Sequence, residues 1–426
     1  MAIATTSQPA EIADLPLKLR LKRAERMRKL RALGLIMPLF LFLMIGFLIP
    51  IGSILIRSVQ NPELAEVLPQ MSELLRAWDG QGEPPVELLS VMARELISAK
   101  ADRSIGKAAK RLNYNVAGFR TLLMKTGTKL ERAAKKEGLD VLLADPDLLS
   151  RFHKIDKRWK DPRFWAILKQ SSERHTLYFL LQAIDLDWDQ FGEIVQVPED
   201  IAIYRDVLWR TVWISLVVTV VCLFLGYPIA FLLATLPTRK SNLLMILLLL
   251  PFWTSLLVRS TAWLVLLQGQ GLVNDVAIWI GLWDEPMMLV RNRIGVYIAM
   301  VHILLPLMVL PMYSVMKGID PYHLKAAASL GARPIRSFLK VYLPQTIPGA
   351  GAGVLLVFIL SLGYYITPAL VGGPTDQMLS YFIYFHANNT VNWGLAAALS
   401  VVLMVCVLVF FSIYQRLVGV GNMRMN

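Results

Sequence analysis

The residues best placed to do work lie in one charged stretch, Lys325 to Gly349, between two long apolar runs. Ala326 to Leu330 favour helix, Gly331 offers a permissive bend, and Pro334 suits the first turn of a new helix. A short helix so placed lies at a membrane surface, where a soluble partner can grip it. Lys325, Ala326, Ala327, Leu330, Gly331, Ala332 and Phe338 are its candidate contacts. The small side chains leave a face for close docking, and a side chain at Gly331 would crowd the bend. This is docking chemistry, not bond making. The histidines at 153, 175, 302, 323 and 386 show no metal-ligand spacing, and His302, inside an apolar run, reads as a packed, hydrogen-bonded residue. Cys222 and Cys406 also lie in apolar runs and read as small packing residues. There is no G-x-x-x-x-G-K-[ST] phosphate loop. Gly349-Ala-Gly-Ala-Gly353 opens an apolar run with no strand before it, so close helix packing is its reading. No catalytic residue, metal ligand or cofactor is assigned to the chain.

A second set could line a solute path: Trp253, Arg259, Trp263, Tyr364 and Tyr365. The aromatic faces suit a cationic solute. Helix packing and interfacial anchoring are their bland roles. An arginine inside an apolar run marks function by default. On a straight helix starting near residue 243, Arg259 stands about 16 residues along, or roughly 24 Å. From there it can snorkel to the far interface, so anchoring and lining the path both stay open.

The elements that must hold these residues are membrane helices. The chain has 426 residues, is 55% hydrophobic and has a mean hydropathy of +0.51. Six apolar runs are long enough to cross a bilayer: 33–56, 211–235, 243–267, 294–316, 350–371 and 394–418. Only a helix satisfies every backbone group within one such segment. Prolines 38, 50, 228, 251, 306, 311 and 368 lie inside them, where membrane helices tolerate them. The first run is too long, and follows too long a basic arm, for a cleaved signal sequence.

Basic residues set the orientation. Eight precede the first run, from Lys18 to Arg31, and others flank the later runs at Arg239, Lys240, Lys317, Lys325, Arg333, Arg336, Lys340, Arg416 and Arg424. With six spans all of these fall on one side, which is then cytoplasmic, as are both termini. Residues 372–393 contain no Lys or Arg, as an external loop should; Arg291 and Arg293 are a mild exception. A basic arm directly before a span reads as a contact with anionic lipid and a topology signal, not as a nucleic-acid patch.

The stretch 58–205 is polar and long enough for a domain. It holds 22 basic and 22 acidic residues, so the net charge of +13 resides outside it. Its charges are segregated, with 20 basic and 10 acidic residues in 94–174. Apolar periodicity from Val86 to Ile97 and from Val116 to Leu130 predicts helices, and Gly80 to Pro85 reads as a turn. Long loops cross the membrane largely regardless of charge. The expectation is a mainly helical extracytoplasmic insert; bracing the spans and docking a partner are both open.

The stretch 325–349 resembles the EAA loop of ATP-binding-cassette (ABC) importer permeases, a run of roughly E-A-A-x-x-x-G-A, then F, L-P and P-G. Ala326, Ala327, Gly331, Ala332, Phe338, Leu343, Pro344, Pro348 and Gly349 match in order and spacing, while Lys325 stands where the family usually has Glu. Arg210 to Ala230, Leu250 to Arg259 and Tyr365 to Pro374 resemble the spermidine/putrescine-type permeases. The likeness covers the first span and 206–420, about half the chain. It implies an all-α membrane protein with six transmembrane helices of the type I ABC importer permease kind. The expected order is a basic cytoplasmic arm (1–32), the first helix (33–57), the insert (58–205), a permease core (206–420) with its ATPase-coupling loop at 321–349, and a cytoplasmic tail (421–426). The resemblance further implies a bacterial inner membrane and an ATP-driven, binding-protein-dependent import of a small polar organic solute, a polyamine or related amine. The implied partners are two ATPase subunits that bind ATP and Mg, a second permease subunit (a paralogue) and an extracytoplasmic solute-binding protein.

The six runs contain no acidic residue, so a polyamine would meet no fixed carboxylate in them. Aromatic faces and carbonyls, or acids of a second permease subunit, would have to serve. Two alternatives remain: an ion-coupled secondary transporter, which would more often show intramembrane acids or inverted repeats, and a membrane-anchored receptor or scaffold built on 58–205.

Overall fold

The computed structural model describes residues 17–80, 82–189 and 192–418, with only the backbone of residues 17–20, 23, 417 and 418. Residues 1–16 of the expected arm, Gln81 of the expected turn, and the expected tail 421–426 with Arg424 lie outside the described residues. The chain divides into two compact units, residues 1–56 and 57–426.

The first unit is a helix from Leu17 that carries Pro38 and relaxes into a π-helical turn at Met44–Leu48. Its apolar part belongs to the membrane-spanning stretch Ala24–Arg57.

In the second unit, Tyr204–Thr235, Arg293–Lys317, Pro334–Leu362 and Trp393–Arg416 are also long and apolar enough to span. The third expected span, 243–267, is not one helix. Thr238–Trp253 and Leu256–Leu266 meet at 96°. Pro251 lacks a donor, the chain turns extended at Thr254, and the Ser255 hydroxyl accepts the amide of Val258, capping a new helix. The fifth span is also displaced. Instead of 350–371, the helix runs from Pro334 to Leu362, and Ile366–Val371 is a separate short helix. Apolar character alone placed the start too late. The wide π turn Phe338–Tyr342 lets the helix continue past Pro344, which has no N–H to give.

The second, fourth and fifth spans share one core, including Val218, Met308, Met312 and Val357. Glycines let the backbones approach. A Cβ on Gly353 would sit 2.7 Å from Met308 Sδ, and one on Gly349 2.9 Å from Val315 Cβ, which is the packing role read for this glycine run.

Between the first two spans the chain folds around a core of its own. Helices Val86–Ala101 and Phe119–Glu137 occupy the two periodic stretches. Leu68, Met92, Leu96, Leu122, Phe152 and Trp159 are buried there, and the Trp159 indole N–H donates to the Thr126 hydroxyl at 3.0 Å. One small sheet departs from the helical expectation: Leu186–Trp188 pairs antiparallel with Ile194–Gln196. Three-residue strands carry too little alternation to show in sequence.

Candidate functional site

The helix Tyr322–Ser329 ends in a tight reversal. The amide of Gly331 donates to the carbonyl of Ala328 at 2.9 Å, and that of Ala332 to Ala327 at 3.1 Å. These are the paired bonds of a Schellman motif, which calls for a left-handed residue. Gly331 supplies it with φ +84°. Apart from Gly331 and its two chain neighbours, no atom of the described residues lies within 4 Å of the place a Cβ would take. Glycine is required by backbone conformation there, and the expected crowding is absent.

The surface around this turn is apolar and open. Tyr322, Leu330 and Ile335 are 70%, 88% and 75% exposed. Lys325 lies over the Tyr322 ring at 5.0 Å. Ala326 is exposed, while Ala327 and Ala332 are half-buried. Leu324 turns inward and packs against the core of the spans. Phe338 points the same way. Its ring lies 5.8 Å from Phe231 and 6.3 Å from Tyr227, edge-on to both, and stacks on Tyr342 at 5.6 Å. The two receiving rings belong to the second span, a hundred residues earlier, and no local signal marked them. The segment thus carries an exposed apolar knob at Leu330 and packs on the spans through Leu324 and Phe338.

The proposed path residues do not form one group. Trp253 is 82% exposed and stands apart at the end of its helix. Beyond the 96° bend, Arg259 lies over Phe252 at 5.3 Å, and its buried Nε and Nη1 have no hydrogen-bond partner among the described residues. The straight-helix estimate of its depth fails with the bend. The Trp263 indole N–H donates to His302 Nδ1 at 3.1 Å, so His302 is hydrogen-bonded as expected, although its side chain is exposed. Trp263 and His302 form one group. Tyr365 belongs to another: it stacks on Tyr384 at 4.7 Å, lies 6.2 Å from Tyr381, and Tyr381 in turn stacks on Phe385 at 6.3 Å. Sequence reading missed Tyr381, Tyr384 and Phe385, because they come from the short helix after the fifth span.

Comparison with known proteins shows the family of the chain. The profile of the family described as binding-protein-dependent transport system inner membrane component matches residues 225–419. The spermidine/putrescine transport system permease protein PotB of Escherichia coli is 35% identical over 214 residues, 50% of this chain and 78% of that protein. The inner membrane ABC transporter permease protein YdcU of Escherichia coli is 30% identical over 226 residues, 50% of this chain and 71% of its own. A solved bacterial alginate ABC transporter, in complex with an alginate pentasaccharide-bound periplasmic protein, is 16% identical with a TM-score of 0.42, covering 50% of this chain and 77% of that one. The matched region holds the turn at Gly331, Phe338 and its receiving rings. Members of this family are not enzymes; the ATPase activity lies in separate subunits. The chain therefore belongs to the binding-protein-dependent transport system inner membrane components and is the multi-pass permease subunit of an ABC importer.

Proposed function

We infer that this permease imports a polyamine or a related small amine, together with two ATPase subunits that bind ATP and Mg, a paralogous second permease and a solute-binding protein. The helix Tyr322–Ser329, with its exposed Leu330 and inward Phe338, is the ATPase contact. Both termini lie in the cytoplasm, and the insert lies outside it. For coupling, the carrying observation is the two-sided geometry of this segment, open at Leu330 and locked to the second span through Phe338. For the solute, support comes from the PotB relatives, whose name states spermidine/putrescine transport, and from the Tyr365, Tyr381 and Tyr384 rings. Aromatic faces attract ammonium groups without a fixed carboxylate.

The test is uptake of radiolabelled putrescine and spermidine by the assembled transporter in lipid vesicles. ATP-dependent accumulation of either, competed by the other, is expected. Avid uptake of an anion or a sugar, with no competition by either amine, would refute the amine assignment. Uptake driven by an ion gradient without ATP would refute the coupling assignment.

A further inference from the structure

The insert rests on the spans through a small, densely bonded joint. Its foot is the helix Tyr178–Gln182. Phe179 is 2% exposed and packs with Leu379, Leu395, Ala398 and Leu399, so it sits on the head of the last span. The fit is close: a Cβ on Gly394 would lie 2.4 Å from Phe179 Cε2. Behind the foot stands Arg111, 3% exposed, with its guanidinium 4.8 Å from the Tyr178 ring and 4.7 Å from the Phe179 ring. Arg111 Nε donates to Asn61 Oδ1 at 2.6 Å, and Nη1 donates to Asn115 Oδ1. Asn61 Nδ2 donates in turn to the carbonyls of Ser171 and Glu173. The beginning, middle and end of the insert converge on this one guanidinium.

Two further ties leave the joint. The Tyr178 hydroxyl donates to the Tyr114 carbonyl at 3.0 Å, and the Tyr114 hydroxyl donates to the Thr390 carbonyl at 3.2 Å, in the connection between the last two spans. Asp185, 3% exposed, holds the head of the second span. Its Oδ1 accepts the amides of Ile203 and Tyr204 at 3.1 and 3.0 Å, and its Oδ2 that of Arg205 at 2.7 Å. Three orphan amides of a helix start are thereby satisfied by one carboxylate from the insert. The Tyr204 hydroxyl lies 2.8 Å from His386 Nε2, which closes the ring between the second span and the same connection.

We propose that the insert is a positioning element of transport: Arg111, Phe179 and Asp185 lock it to the heads of the second and last spans, so insert and heads move as one body. This rests on the permease reading. A flexible tether would need neither a buried arginine bonded to the start and middle of the insert and packed on the rings at its end, nor a side chain seated against a glycine backbone. Interiors packed this closely transmit displacement.

The test uses the assembled transporter in vesicles and has two arms. Spin labels on cysteines at Lys107→Cys in the insert and Asn388→Cys in the connection report the distance across the joint. It should be the same without nucleotide and after vanadate trapping; a changed distance in the otherwise native protein overturns the proposal. The second arm is a wedge. Gly394→Ala adds one methyl group against Phe179, and overpacking of this kind should lower the maximal uptake rate about five-fold while leaving half-saturation unchanged. Phe179→Leu, which removes the ring atoms the methyl group meets, should restore the rate in the double variant. Normal uptake in Gly394→Ala, or a loss that Phe179→Leu does not restore, overturns the proposal. Native uptake and vanadate trapping in the same vesicles judge the permease reading separately, and the spin-label arm does not depend on the wedge variants folding.

Discussion

The ring of Phe338 meets that of Phe231 edge-on, with 5.8 Å between centroids. This contact joins the segment after the Gly331 turn to the second span. Phe338→Ala removes it, at a local cost of about 2 kcal/mol for a half-buried ring. ATP hydrolysis in the assembled transporter should persist while uptake falls about ten-fold. Parallel measurement of both rates in vesicles checks this; equal losses in both would show that the ring serves assembly instead.

The φ of +84° at Gly331 makes a second prediction. Because the space beside it is open, the penalty of a side chain is conformational, roughly 1–2 kcal/mol for alanine. Asparagine visits the left-handed region more readily, and a β-branched residue resists it. Uptake should therefore fall in the order Gly, Asn, Ala, Val at position 331. A ranking by side-chain volume alone, with Asn below Ala, would point to crowding.

Lys325 stands over Tyr322 on the exposed side of the same helix. Its ATPase should meet it with an acidic or neutral surface, since like charges brought together repel. Lys325→Glu should loosen the ATPase, lowering co-purification at moderate salt by about three-fold. A tighter complex in the glutamate variant would show the opposite charge on the partner.

His386 gives a pH dependence. It is half-buried between the Tyr204 and Thr390 hydroxyls, and burial pushes its pKa down to about 4. The unfolded imidazole, near its ordinary value of about 6.5, binds a proton first as pH falls. The contribution to stability is thus fully present above that value and is lost on descending through the folded pKa of about 4. Thermal unfolding in detergent should show a midpoint that drops between neutral pH and about pH 4, and His386→Gln should flatten this drop. An unchanged slope in the variant would assign it to carboxylates instead.

The side of the membrane on which the insert lies is tested directly. Lys107 is exposed on the helix Ile105–Asn115. A cysteine there should react with a membrane-impermeant maleimide in intact spheroplasts. Reaction only after lysis would place the insert in the cytoplasm and reverse the orientation.

Much of this architecture is legible in the residue order. Runs of apolar residues mark the spans, because a backbone in lipid must bond within its own segment. Alanines followed by Gly331 announce a helix and its end, and apolar periodicity announces the helices at Val86–Ala101 and Phe119–Glu137. These are local signals, read within one or two turns. The tertiary structure decided the rest. The break at Thr254, inside one continuous apolar run, shows only in the structure, where Thr238–Trp253 and Leu256–Leu266 meet at 96°. The early start of the fifth span depends on Phe338 and Tyr342 finding Phe231, more than a hundred residues away. Arg111 and Phe179, unremarkable in sequence, become the joint of the insert only because Asn61, Tyr178 and Gly394 arrive beside them. Propensity and periodicity act between neighbours along the chain, whereas which rings, charges and glycines meet is set by packing between segments far apart in it.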